Sequence, residues 1–297
     1  MRLDDEQESS NFEVRDGGGS SQAGFGGGGG LGLIGMIVPF VFSRFGCGGL
    51  VVLGIIVVLF GGLGSIGSMV SGGGGSAPAP HSATAPGQLT DIQRTSLRVL
   101  GSTERRWTEI FAREGQRYTP TKLVFYNGRD QSGCGAAQAA MGPFYCPADQ
   151  SIYLDTQFFD EMKSRYNVPG DFPIGYVIAH EVGHHIQNLT GTANKVQAAQ
   201  QRASRTQGNA LQVAMELQAD CYAGVWAAND KNLLEPGDVE EGLAAAQAIG
   251  DDTLQRASGQ RPVPDRFTHG SSAQRQQWLQ RGLQTGDPKR CDTFGGN

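Results

Sequence analysis

The chain of 297 residues has few basic residues, few cysteines and few histidines. It contains 24 Lys and Arg against 29 Asp and Glu, which gives a formal net charge of −5, and no basic patch stands out. This charge lacks the electrostatic footprint of a nucleic-acid-binding protein, so we expect no nucleic-acid partner. None of the five cysteines forms a C-x-x-C pair. A cysteine-rich metal site is therefore not expected.

The first hydrophobic run does not have the pattern of a signal peptide. The first hydrophobic run begins only at Leu31 and follows no basic region, so a cleaved signal peptide is not expected. Residues 45–70 carry no charged side chain and are long enough for one transmembrane helix, at 46–68. Arg44 precedes this stretch, and the next Lys or Arg in the sequence is Arg94. The positive-inside rule thus predicts a single-pass protein with the N-terminus in the cytoplasm and the later residues outside.

The 45 glycines are unevenly distributed and divide the chain. Residues 1–30 are acidic and then Gly-rich, and we expect a disordered cytoplasmic tail there. The hydrophobic segment 31–70 follows, and 71–87 is a Gly, Ser, Ala and Pro linker. Residues 88–297 remain for one extracytoplasmic globular domain, which is long enough to bury a core.

Cysteine pairing tests this topology. Cys47 lies in the predicted span, which leaves an even number of cysteines in the outer domain. Cysteines outside the cytoplasm tend to pair, and four of them allow three connectivities. We favour Cys134–Cys146, which closes a short Gly-rich loop, and Cys221–Cys291, which ties the C-terminal tail to a core helix.

Residues 172–190 are predicted to form a helix. Asp171 can cap its start, Pro173 suits its first turn and Gly191 can end it. Its apolar residues recur at helical spacing and predict a buried stripe: Ile174, Val177, Ile178, Val182, Ile186 and Leu189.

This helix contains an H-E-x-x-H pattern. His180 and His184 are four residues apart, so their imidazoles project from one face and can bind one zinc ion. Glu181 is then placed to accept a proton from zinc-activated water. His185 points about 100° away from His184 and is expected to be a packing or surface histidine.

A catalytic zinc site needs a third protein ligand, and a second strong helix offers one. Glu216 lies on this helix, predicted from about Asn209 to Asn229, and is the candidate ligand. Asp220 is one turn later on the same face and could accept the outer N–H of either ligand histidine. An exposed pair of carboxylates is the alternative, but the alanine-rich neighbours favour burial, and buried carboxylates need partners.

His269 lies just before a helix that Ser271 or Ser272 can cap. Beside a zinc site, a loop histidine could donate to the oxyanion of a tetrahedral intermediate. A capping or surface role for His269 is the alternative.

The remaining pattern predicts an α+β domain that is mostly helical, with a small β-sheet, preceded by one transmembrane helix. Residues 122–126 and 151–155 are β-prone and predict neighbouring strands. We expect 151–155 to be the edge strand beside which an extended peptide substrate lies.

Several stretches together resemble the bacterial neutral zinc metallopeptidase family. They are HEVGHHIQ at 180–187, ELQADCYAG at 216–224, FTHGSSAQR at 267–275, GPFYCP at 142–147 and the N-terminal residues 1–15. The likeness covers most of the chain. It implies a membrane-anchored, zincin-like peptidase of the bacterial cytoplasmic membrane, whose Glu-x-x-x-Asp helix is similar to that of the gluzincin clan.

By this resemblance, His180, His184 and Glu216 are the ligands of one zinc ion, and Glu181 is the general base. The expected function is hydrolysis of a peptide or protein substrate by a zinc-activated water. The alternative is a non-catalytic, membrane-tethered zinc-binding adaptor. Glu181 speaks against an adaptor, because a structural zinc site needs no base and is closed by a fourth ligand. Oligomeric state stays open.

Overall fold

The computed structural model describes residues 1–15, 89–138, 141–168, 170–230 and 232–295. Its strands are β1 (Phe12–Arg15), β2 (Lys122–Tyr126), β3 (Arg129–Ser132), β4 (Gly135–Gln138), β5 (Phe144–Cys146) and β6 (Ser151–Asp155). Its helices are α1 (Asp91–Arg113), α2 (Gln157–Tyr166), α3 (Phe172–Leu189), α4 (Thr192–Gln200), α5 (Arg205–Asn229), α6 (Asp238–Ala248), α7 (Asp251–Ala257) and α8 (Ser272–Thr285). Short 3-10 turns are found at Pro264–Arg266 and Pro288–Arg290.

Four strands form one sheet in the order β1-β2-β6-β5, and β3 and β4 form a separate hairpin. β2 and β6 are parallel, with Lys122 opposite Ser151, which confirms the predicted pair of neighbouring strands. β5 is antiparallel to β6 and lies at the edge of the sheet. The prediction that 151–155 is the edge strand is therefore wrong. All five of its residues are buried, as expected for an inner strand.

The N-terminal residues belong to this domain. β1 pairs in parallel with β2, with Phe12 opposite Leu123, and the side chains of Leu3 and Val14 are buried in the core. The predicted disordered tail is therefore wrong for residues 1–15, because their apolar side chains have a core to pack against. A single membrane crossing between β1 and β2 would place the two strands on opposite sides. The pairing thus contradicts the predicted topology, with the N-terminus inside and the domain outside.

The predicted fold class also needs correction. Among the described residues, no helix combines the length and the apolar character needed to cross a membrane. The transmembrane helix expected at 46–68 lies outside the described residues, as do the predicted boundaries near residues 30, 70 and 87. The described part of the chain is a mostly helical α+β domain with two small sheets, and it contains no transmembrane helix.

Two central helices, α3 and α5, pack directly against each other. α3 has Asp171 at its N-cap position and Pro173 in its first turn, as predicted, although the Asp171 side chain makes no capping hydrogen bond. The close approach of the helices depends on Gly183. A Cβ atom at this position would lie 2.9 Å from Cα of Ala219 on α5, closer than real Cβ contacts.

Residues 238–257 form two consecutive helices rather than one. α6 ends at Ala248 and α7 begins at Asp251. At Gly250 between them, a Cβ atom would lie 2.4 Å from the backbone nitrogen of Ser272 at the start of α8. The break therefore lets the α6–α7 connection pack on the loop that precedes α8.

Both favoured disulfides are present. Cys134–Cys146 joins the β3–β4 turn to β5, with Cα atoms 5.7 Å apart. Cys221–Cys291 joins α5 to the C-terminal tail, with Cα atoms 5.6 Å apart. Both separations lie within the usual range for a disulfide.

Candidate metal centre

The crossing of α3 and α5 brings three predicted ligands together. His180 on α3 is 6% exposed, and Glu216 on α5 is also 6% exposed. Oε2 of Glu216 lies 3.2 Å from Nε2 of His180 and 3.4 Å from Nε2 of His184. One donor atom from each of the three residues falls within 4.8 Å of the others, so this cluster could hold a metal ion.

The spacing of these atoms fits zinc. In a tetrahedral site with bonds of about 2.0–2.1 Å, neighbouring ligand atoms lie about 3.3 Å apart. The two observed separations, 3.2 Å and 3.4 Å, are close to this value. Two imidazole nitrogens and one carboxylate oxygen are also a ligand set that catalytic zinc sites use.

Hydrogen bonds on the far side of each imidazole support the same interpretation. Nδ1 of His180 lies 2.8 Å from Oδ1 of Asp220, and Nδ1 of His184 lies 2.9 Å from Oε1 of Gln187. Both partners accept, so each Nδ1 carries the proton and each neutral ring directs the lone pair of Nε2 towards Glu216. A lone pair facing a carboxylate is unfavourable unless a proton or a metal ion lies between them. The arrangement therefore indicates a cation site.

In the metal-free protein, protons compensate for the negative charge of the site. Burial alone would lower the pKa of His180, but Asp220 and Glu216 raise it to about 9. Burial would raise the pKa of Glu216, but the two histidines lower it well below its usual value of 4.5. His180 thus keeps its extra proton when no metal is bound, and a divalent cation would displace that proton on binding.

Asp220 lies beside a candidate ligand histidine, His180, as predicted. It is completely buried. The Tyr176 hydroxyl donates to its Oδ1 at 2.6 Å, and Arg275 donates through Nε to Oδ2 and through Nη2 to Oδ1, both at 2.9 Å. The Arg275 guanidinium balances the charge of Asp220, so that a buried carboxylate can support His180.

Sequence reasoning missed four residues that hold the site. Tyr176 lies one helical turn before His180, and Gln187 lies three residues after His184, so helical spacing offered a signal for both. Gln212 lies one turn before Glu216 and donates to its Oε1 at 2.9 Å, which leaves Oε2 for the histidines. Arg275 is 55 residues from Asp220 and gives no local signal.

Glu181 lies in the same cleft as the two candidate ligand histidines. Its side chain is largely buried, with the residue 7% exposed. Within the described part of the chain, no hydrogen bond or ion pair engages its carboxylate. A carboxylate without a partner beside a cation site can accept a proton from a reactant.

His269 also lines this cleft, and its side chain is half exposed. Its position is set by Asp251, the first residue of α7. Oδ2 of Asp251 accepts the backbone N–H groups of Thr268, His269 and Gly270 at 2.7, 2.6 and 3.1 Å, and its Oδ1 lies 3.4 Å from Nδ1 of His269. Partial desolvation in the cleft would lower the pKa of His269, but its contact with Asp251 raises it.

The cleft has a volume of about 530 Å³. One wall is the edge strand β5, and another is the apolar face of α2 with Phe158, Met162 and Tyr166. An open sheet edge beside the candidate metal site can pair with an extended peptide.

His185 faces away from the cleft and is a packing histidine, one of the two predicted alternatives. Its Nε2 donates to the Thr119 carbonyl at 2.7 Å, and its Nδ1 lies 3.0 Å from the Tyr145 hydroxyl. Burial lowers its pKa, which keeps it neutral. His185 therefore ties β5 to α3.

Comparison with known proteins agrees with this site. Residues 1–294 match the family model described as "Putative neutral zinc metallopeptidase". The uncharacterized protein YpfJ of Escherichia coli is 48% identical over 253 residues, which cover 84% of this chain and 88% of YpfJ. The uncharacterized protein Rv2575 of Mycobacterium tuberculosis is 44% identical over 190 residues, or 60% of this chain and 63% of Rv2575. No solved structure matches the chain. The chain therefore belongs to the neutral zinc metallopeptidase family, as its motifs predicted.

Proposed function

We propose that the protein is a zinc-dependent peptidase that hydrolyses peptide bonds in the cleft between α2, β5 and α3. One observation carries this proposal: His180, His184 and Glu216 converge at the spacing of zinc ligands. Glu181 lies in the same cleft, and none of the described residues forms a hydrogen bond or an ion pair with its carboxylate. Family membership supports a zinc peptidase and thus a peptide or protein substrate.

His180, His184 and Glu216 would hold one zinc ion. Three protein ligands leave one coordination position open, which is typical of catalytic zinc sites, whereas structural sites are closed by a fourth protein ligand. Among the described residues, no further His, Cys, Asp or Glu joins this cluster. The donor set therefore favours a peptidase over the zinc-binding adaptor.

When bound, zinc supplies Lewis acidity, which promotes the ionisation of water at neutral pH and polarises a carbonyl group. Glu181 accepts the proton of the attacking water, since its carboxylate has no competing partner in the described structure, and then passes it to the leaving nitrogen. His269, held by Asp251 on its Nδ1 side, would donate to the carbonyl oxygen as negative charge develops there.

The substrate would bind in an extended conformation. β5 is short and lies at the edge of the sheet formed by the described residues, so its outer backbone groups can pair with a peptide strand. The apolar residues of α2 would contact one large hydrophobic side chain of that peptide. The two disulfides support an oxidising, extracytoplasmic environment for the domain.

Glu181→Gln tests the mechanism. We expect this variant to keep one zinc per chain and to lose hydrolysis of a proteome-derived peptide library, read by mass spectrometry, by about a thousandfold or more. Glu161→Gln is the matched control, because Glu161 lines the cleft wall but is 62% exposed. If the zinc-loaded wild type cleaves no more peptides than Glu181→Gln, the peptidase proposal fails and the adaptor is favoured.

A further inference from the structure

A chain of buried hydrogen bonds runs from the C-terminal tail to His184. The Cys291 carbonyl accepts from Nε2 of Gln218 at 3.0 Å. Oε1 of Gln218 accepts from Nε2 of Gln187 at 3.1 Å, and Oε1 of Gln187 accepts from Nδ1 of His184 at 2.9 Å. Gln187 and Cys291 are fully buried, and Gln218 is 7% exposed.

The donor and acceptor roles along this series of hydrogen bonds follow from the Cys291 carbonyl at its end. A backbone carbonyl can only accept, so Gln218 must turn its amide NH₂ towards Cys291 and its oxygen towards Gln187. Gln187 must then donate to Gln218, and its second N–H donates to the Met215 carbonyl at 2.7 Å. Flipping either amide would oppose two donors or two acceptors in a buried environment, which is costly.

This direction imposes one tautomer on His184. Both N–H groups of the Gln187 side-chain amide are used in these two bonds, so its Oε1 atom faces His184 and accepts the Nδ1 proton. Nε2 of His184 is therefore free of a proton in the neutral ring and available to a metal.

The disulfide Cys221–Cys291 holds the end of this chain in place. It fixes the tail to α5 one residue after Asp220. The next contact along the tail is the Thr293 hydroxyl, which donates to the Ala214 carbonyl at 2.6 Å. Without the disulfide, fewer contacts oppose separation of the tail from α5, and the Cys291 carbonyl can leave Gln218.

We propose that Gln187 and Gln218 are positioning residues for His184, and that through them the Cys221–Cys291 disulfide strengthens zinc binding. This inference rests on the proposed zinc site. Losing a hydrogen-bond partner of a ligand histidine weakens metal binding by about 10-fold to 100-fold, and we expect this for Gln187→Leu. Gln218→Met removes two buried hydrogen bonds, but only one of them holds Gln187, which still donates to the Met215 carbonyl. We therefore expect a loss of about 3-fold to 10-fold.

A double-mutant cycle tests the proposal. Zinc dissociation constants are measured by competition with a chromogenic chelator for wild type, Gln218→Met, Cys221→Ser/Cys291→Ser and the triple variant. Gln218→Met and Cys221→Ser/Cys291→Ser should each weaken zinc binding by about 3-fold to 10-fold. The triple variant should bind zinc as well as the more weakly binding of these two variants, because both interrupt the same series of hydrogen bonds. Additive losses would overturn the proposal, since a general loosening of the fold predicts additivity.

Two controls distinguish an effect of this hydrogen-bond series on zinc affinity from nonspecific effects of substitution. Gln276→Met removes another glutamine that donates to a carbonyl and to a second glutamine, Gln247, away from the metal site. Cys134→Ser/Cys146→Ser removes the other disulfide. Both controls should leave the zinc dissociation constant within about 2-fold of wild type; a loss equal to that of Gln218→Met would contradict the proposal.

Failure of the proposal and failure of the proposed function give different results. A wild-type chain that does not bind one zinc ion refutes the zinc site itself. If the wild type binds zinc and Gln218→Met binds it with unchanged affinity, only the proposed hydrogen-bond series to His184 is refuted. If Cys221→Ser/Cys291→Ser does not fold, Gln218→Met is combined with Gln187→Leu instead. Gln218→Met should then add no further loss, and an additive loss again refutes the chain.

Discussion

Replacing Arg275 with Met tests the charge balance behind the metal centre. Arg275 donates twice to Asp220, at 2.9 Å in both contacts, and the two side chains are 3% and 0% exposed. Arg275→Met keeps much of the apolar side chain but removes the cation. Asp220 would remain buried with a full negative charge, and Tyr176 and His180 would be its remaining side-chain donors within the described structure.

Breaking a buried ion pair from one side costs about 3–5 kcal/mol. Because Tyr176 and His180 still donate to Asp220, we expect the lower end of this range, about 3 kcal/mol. For a domain of this size, 1 kcal/mol shifts Tm by about 2–4 °C, so the metal-free variant should melt roughly 6–12 °C lower.

The assay is thermal and urea unfolding of the metal-free protein with its disulfides intact. Arg165→Met is the matched control, since Arg165 forms an exposed pair with Glu161 at 3.8 Å, and such surface pairs contribute about 0–1 kcal/mol. The double variant Asp220→Asn/Arg275→Met should recover part of the loss, because it no longer buries an unpaired charge. If Arg275→Met destabilises no more than Arg165→Met, the reasoning is refuted.

Three further predictions concern the same region. Gly183→Ala places a Cβ atom 2.9 Å from α5 and should lower the free energy of unfolding in urea by about 1–3 kcal/mol. Gly208→Ala, in open space on α5, is the control and should not destabilise the protein. Equal effects of the two substitutions would contradict the close helix contact. Burial alone would raise the pKa of Asp220, but Arg275 lowers it from 3.8 to about 2. The metal-free wild type should therefore lose its stability advantage over Asp220→Asn as the pH falls below about 4 towards 2. A stability advantage that does not change over this pH range would contradict the ion pair. His269→Gln should lower kcat on the peptide library by about 100-fold or more while zinc content stays at one per chain, and an unchanged kcat would exclude His269 from catalysis.

Local spacing made the centre of the site predictable. His180, Glu181 and His184 lie within one helical turn, so their arrangement follows once the helix is recognised. Glu216 and Asp220 were recognisable because a carboxylate pair in an alanine-rich helix has to find partners when buried. Both disulfides also followed from the cysteine spacing.

Contacts between distant segments were not predictable from the residues alone. Arg275 and Gln218 reach their partners across long stretches of sequence, and nothing in their own neighbourhoods indicates this. β1 was missed because its acidic and Gly-rich surroundings favour disorder, while parallel pairing with a distant strand leaves no local signal. The three-residue edge strand β5 lies in a Gly- and Pro-containing loop and was too short to recognise as a strand.

X-ray absorption spectroscopy of the zinc-loaded protein tests the central claim most directly. Two imidazole nitrogens and one carboxylate oxygen should surround one zinc ion per chain at about 2.0–2.2 Å, and Glu216→Ala should lose the carboxylate oxygen from this shell. A zinc ion with sulfur ligands, with fewer than two imidazoles, or with a shell unchanged in Glu216→Ala would contradict the account.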